Sequence, residues 1–93
     1  MELTFIHKKI ICDIAREAYD VWPAREEFER AHSAPGLHAF NAWRHAEQLK
    51  AVGLQSLTIC TEDQYLELQR HFMRLRSTWV AEVASPNLTL ALF

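Results

Sequence analysis

Five histidines, two cysteines and a strip of arginines are the residues whose chemistry could give this 93-residue chain a task. The histidines are His7, His32, His38, His45 and His71. No two stand four apart, the spacing at which one helix grips an ion with two imidazoles. His38 and His45 are seven apart, about 10 Å along a helix, too far to share a metal. Glu67 and His71 do stand at i,i+4, and a surface pair is the expectation for them. His7 is expected to be partly buried and hydrogen bonded. Cys12 and Cys60 are 48 positions apart with no CxxC spacing, so neither a zinc ribbon nor a redox pair follows. They read as two small buried hydrophobes in a reducing cytoplasm. Cys60 precedes Thr61-Glu62-Asp63, and a helix N-terminus lowers a thiol pKa, but the adjacent acids oppose that. There is no GxSxG elbow and no glycine-rich phosphate loop. Asp13, Glu17 and Asp20, like Glu26, Glu27 and Glu29, are interleaved with lysine or arginine and read as solvated faces. Neither a catalytic residue nor a metal nor a cofactor is expected, and the chain reads as a non-enzyme.

Arg70, Arg74 and Arg76 form the most basic stretch. As phosphate contacts they would make a nucleic-acid-binding edge; the competing reading is favourable charge near a helix C-terminus. A helix-turn-helix is disfavoured, because the preceding connector has about nine residues where that motif uses three or four. The helix carrying the arginines also opens with Glu62-Asp63, which would repel phosphates where a recognition helix reads bases. A second surface is suggested by Leu66 and Met73, seven apart and off the main apolar stripe of that helix. With the apolar tail Leu88, Leu90, Leu92 and Phe93 they make a candidate interaction surface. The tail would cover this ridge in its own chain or in a partner chain, the latter giving a homodimer by exchange.

These residues need elements to position them. Apolar residues make up 49% of the chain and charged residues 24%, the composition of one soluble globular domain. Ten basic and twelve acidic side chains leave a net charge of −2, which argues against general coating of DNA. Two glycines and three prolines disfavour a many-hairpin β fold. A chain this short buries only about 60–65% of its unfolded surface, so a large enclosed active site is excluded.

The periodicity predicts a first helix over about 5–19 or 21, N-capped by Thr4. Its apolar stripe is Ile6, Ile10, Ile14 and Ala18, with Ile11 and Ala15 alongside. Lys9–Asp13 and Arg16–Asp20 are opposite-charge pairs on the other side. Pro23 stops the helix at Trp22 and suits the first turn of a short second helix, about 24–32. Ser33-Ala34-Pro35-Gly36 is a break. A third helix over about 37–52 ends at Gly53, with Ala39, Ala42, Trp43, Ala46 and Leu49 on one face and Asn41, Arg44 and Gln48 opposite. Residues 54–60 form a connector with strand character at Leu57-Thr58-Ile59. Thr61 and Gln64 form a capping box for a fourth helix from Glu62 to Arg76 or beyond, with Tyr65, Leu68, Phe72, Leu75 and Trp79 inward. Ser85-Pro86-Asn87 is expected to stop it. The fold class is therefore all-α, a small bundle of about four helices with an irregular or short β C-terminal tail. Residues 1–84 form one helical domain and 85–93 the tail. Lys8, Lys9 and Asp13 interrupt the N-terminal apolar positions, so neither a signal peptide nor a membrane span is expected, and the location follows as cytoplasmic.

Trp43-Arg44, Val52-Gly53 and Ser56-Leu57-Thr58, followed by a capped helix ending Phe72-Met73-Arg74-Leu75, resemble the phage regulatory protein GemA family. So does the earlier helix Ile10-Ile11-Cys12-Asp13-Ile14-Ala15-Arg16. The resemblance covers about half the chain. The segment around Pro23–Pro35 and the apolar tail depart from it. It implies a non-enzymatic phage or prophage regulator acting on DNA supercoiling or gene expression, and it transfers no catalytic residue. The expected function is thus a small accessory or regulatory protein acting in DNA transactions. The alternative is a protein-interaction module that oligomerises through its tail and leaves nucleic acid alone.

Overall fold

The computed structural model describes residues 4–32, 37–54, 56–57 and 59–92, with backbone alone for 83–92. Among the described residues there are four helices: α1 (Phe5–Asp20), α2 (Arg25–Ala31), α3 (Leu37–Val52) and α4 (Glu62–Leu92). α4 packs on both α1 and α3, and these two touch each other. At about 1.5 Å per residue α4 is about 46 Å long, roughly twice either neighbour. None of the helices among the described residues is long and apolar enough to cross a membrane.

Local chemistry sets the helix ends. The Thr4 side chain accepts from the His7 backbone amide, and the His7 ring accepts from the Thr4 amide, a reciprocal cap. α1 stops at Asp20, where Pro23 disfavours helical geometry in Trp22. The Val21 and Trp22 amides close onto the Ala18 and Tyr19 carbonyls. Gly53 terminates α3 with φ +75°, a left-handed conformation that glycine adopts without a Cβ penalty. At α4 the Thr61 amide donates to Gln64 Oε1 at 2.8 Å, and the Gln64 amide donates to Thr61 Oγ1 at 3.2 Å. Thr61→Ala should therefore cost about 1 kcal/mol, measured as a lower urea midpoint with an unchanged slope. An unchanged midpoint would show that the cap does not hold this end.

The core comprises Ile11, Ala15, Ala18 and Tyr19 from α1, Phe40 and Trp43 from α3, and Tyr65, Leu68 and Phe72 from α4, with Leu57 and Cys60 from the connector. Its centre is aromatic. Trp43 lies 5.3 Å from Tyr19 and 5.7 Å from Phe72 between ring centroids. Trp22 stacks on Trp79 at 5.8 Å and also meets Phe28.

Four expectations are corrected. On α1 the buried line is Ile11–Ala15–Ala18–Tyr19, whereas Ile6 is exposed and Ile10 and Ile14 are only half-buried. The small side chains of Ala15 and Ala18 face inward, where a neighbouring helix can approach closely. On α3, Ala42, Ala46 and Leu49 are exposed, while Phe40 joins Trp43 in the core and Glu47 and Gln48 are buried. The large rings rotate the helix so that they are covered, and the polar pair is carried inward with them. Leu57 and Ile59 lie in a turn closed by the Cys60 amide on the Leu57 carbonyl, with no strand among the described residues; Thr58 lies outside those residues. The backbone of α4 continues through Ser85-Pro86-Asn87 to Leu92, rather than giving way there to an irregular or short β tail. Proline removes one intrahelical donor, while Leu88, Leu90, Ala91 and Leu92 all favour helix. The break at 33–36 lies outside the described residues.

Candidate functional site

Four of the five histidines make separate contacts, and none of these joins two histidines. His7 caps α1 and meets the Tyr65 ring edge-on at 5.1 Å. His32 bonds the Phe28 carbonyl. His71 does not pair with Glu67; its Nε2 lies 3.2 Å from Glu47 Oε1, joining α4 to α3. Glu47 also takes the Lys50 ammonium at 2.9 Å. The hydrogen bond with His71, followed by Lys50, holds the Glu47 carboxyl below its ordinary value against the opposing effect of burial. Among the described residues, no three of His, Cys, Asp and Glu gather closely enough to hold a metal.

Cys12 and Cys60 are free, the first half-buried and the second buried. Burial pushes the Cys60 thiol up, away from the thiolate a nucleophile needs. Tyr19 is buried, and its hydroxyl donates to Glu29 at 3.1 Å. Burial, then the bond to Glu29, raises its pKa to about 12. Gln48, expected on the outer face of α3, is fully buried and accepts from Arg44 at 2.6 Å. The buried Arg44 Nε has no hydrogen-bond partner among the described residues.

The three arginines of α4 each have an acid beside them. Arg70 and Arg74 share Glu67 at 3.5 and 3.9 Å, and Arg76 reaches Glu17 of α1 at 3.8 Å. All these side chains are largely solvated, so the pairs are weak. They nevertheless lower the local positive potential that a phosphate backbone would meet.

Leu66 and Met73 lie off the core stripe, as their spacing predicts. Together with Gln69 and Arg70 they line one shallow groove of about 240 Å³. The exposed apolar series is longer than this pair. Ile59, Leu66, Met73 and Val80 recur every seven residues and are 64%, 43%, 56% and 44% exposed. Val80 also borders a recess of about 350 Å³ lined by Trp22 and Pro23. Ile59 and Val80 were not singled out from the sequence, although the period of seven from Leu66 and Met73 was a readable signal. Leu88, Leu90 and Leu92 are on the helical backbone of α4, but their side chains, and Phe93 entirely, lie outside the described residues.

Comparison with family models, curated proteins and solved structures finds no match to the chain.

Proposed function

We infer that this is a small non-enzymatic accessory or regulatory protein that acts by docking on another protein surface through the outer face of α4. The supporting observation is the exposed groove formed by Leu66 and Met73 beside a core filled by other residues of the same helix. Exposed apolar surface bordered by charge is characteristic of an interaction site. The resemblance to GemA supports a regulatory role in a phage or prophage setting, and the two free thiols accord with a reducing cytoplasm.

Action on DNA is the second reading. It is favoured by Arg70, Arg74 and Arg76 lying on one helix and opposed by Glu67 and Glu17 beside them. Two measurements separate the readings. In a low-salt gel-shift series the wild type should leave DNA unshifted. A salt-dependent shift that is lost on combining Arg70→Ala and Arg74→Ala would transfer the function to nucleic acid. In affinity capture from its source cells, wild type should retain a protein that the Leu66→Glu/Met73→Glu variant does not. Equal retention by both would remove the α4 face from the function.

A further inference from the structure

We propose that the partner of the α4 face is a second copy of this chain, paired antiparallel about a two-fold axis near Gln69 and Arg70. The proposal rests on the docking reading above and names its occupant.

Two features of α4 and the turn that leads into it coincide. The first is the apolar series Ile59, Leu66, Met73 and Val80, exposed throughout. A period of seven drifts only about 20° per repeat on a straight helix. Leu66, Met73 and Val80 therefore form a nearly continuous ridge, and Ile59 precedes it in the connecting turn. The series is symmetric about the midpoint between Gln69 and Arg70. A two-fold axis there sets Leu66 opposite Met73 of the second copy and brings Val80 toward the end of the second copy's α4 at which the turn holding Ile59 enters. This is the self-complementarity that an isologous interface requires.

The second feature is charge. The acids Glu62, Asp63 and Glu67 occupy the turns before the midpoint, and Arg70, Arg74 and Arg76 the turns after it. At 100° per residue all six fall within about 100° of Leu66 around the helix, so they flank the ridge. A parallel pair would set acid against acid and arginine against arginine. An antiparallel pair sets each acidic half against the other copy's basic half, twice over by symmetry. Glu62 and Asp63 form no ion pair among the described residues. The existing arginine pairs at 3.5–3.9 Å are loose and solvated, so they can be exchanged for contacts across the axis.

The apolar contact is one row of side chains on a single element of each copy, flanked by solvated charge. A concentration-dependent dimer that weakens with salt is therefore expected.

The test is sedimentation equilibrium of the full chain across concentration at low and high salt. The expected mass rises from 10.8 kDa toward twice that value, with dissociation promoted by salt. Met73→Glu should weaken association by at least about tenfold, because a carboxylate is then buried against an apolar side chain. Circular dichroism checks that its fold is kept. Orientation is read by oxidising a mixture of Leu66→Cys and Met73→Cys chains and identifying linked peptides by mass spectrometry. Links between positions 66 and 73 support the proposal, whereas dominant 66–66 links overturn it. A single-chain mass at every concentration also overturns it, as does unchanged association of Met73→Glu. If the chain stays monomeric while wild type still captures a protein that the Leu66→Glu/Met73→Glu variant loses, the dimer fails and docking by this face stands. If capture is also unaffected, both fail.

Discussion

Trp43→Ala should be the most damaging single substitution, lowering stability by about 3–5 kcal/mol. The indole is 4% exposed. Its ring centroid lies 5.8 Å from Trp22 and 6.1 Å from Trp79, in addition to Tyr19 and Phe72. These neighbours come from α1 and the turn after it and from α4, so one side chain on α3 joins three parts of the bundle. Removing it leaves a cavity that rigid rings cannot collapse to fill. Small domains have only about 5–15 kcal/mol in total, so the variant should lose most of its margin. Urea unfolding followed by circular dichroism gives the midpoint and slope, with Trp43→Phe falling between alanine and wild type. A Trp43→Ala midpoint equal to that of wild type would show that the aromatic cluster is not what holds the helices together.

The second large effect is carried by Glu47 and depends on pH. His71 and Lys50 depress its pKa in the folded protein below the ordinary 4.5. The contribution is therefore fully present above that value and is lost as pH falls through the lower folded pKa. Below about pH 4.5, wild-type stability should decline more steeply with acid than that of Glu47→Gln, which has no carboxyl to protonate there. At neutral pH Glu47→Ala should cost about 1.5–3 kcal/mol, the range for hydrogen bonds to a charged group. A double-mutant cycle with His71→Ala isolates the contact between α3 and α4. A coupling energy near zero, or parallel acid profiles for wild type and Glu47→Gln, would remove this pair from the stability of the fold.

Four helix ends were legible because they follow from contacts within a few residues, whereas the expected stop at Ser85-Pro86-Asn87 did not hold. Thr4, Thr61 with Gln64, Pro23 and Gly53 act through the backbone beside them, and each marks the end it was expected to mark. The inward stripe of α4 was also legible, since Tyr65, Leu68, Phe72, Leu75 and Trp79 make a longer and more aromatic line than Leu66 and Met73. α1 offers two neighbouring apolar lines, through Ile10 and Ile14 or through Ile11 and Ala15. Periodicity scores them almost alike, and close packing against the other helices selects the one with alanines. The candidate surface was half legible. Leu66 and Met73 announced themselves by spacing, but Ile59 and Val80 joined them only when their exposure was known.

By itself, then, the sequence determined the all-α class, the caps at Thr4 and at Thr61 with Gln64, the ends at Pro23 and Gly53, and an apolar surplus on α4, but not where α4 ends. Tertiary structure decided which faces are inward and which polar groups are buried. Gln48 is covered because Phe40 and Trp43 rotate α3 toward the other helices, and Arg44 satisfies it there. His71 takes Glu47 from another helix instead of Glu67 from its own. Tertiary structure also set Glu67 and Glu17 beside the arginines of α4. The physical reason is range. Capping and helix propensity act over three or four residues, whereas burial and charge pairing depend on distances in space between positions up to 59 apart in the chain, as for Glu17 and Arg76.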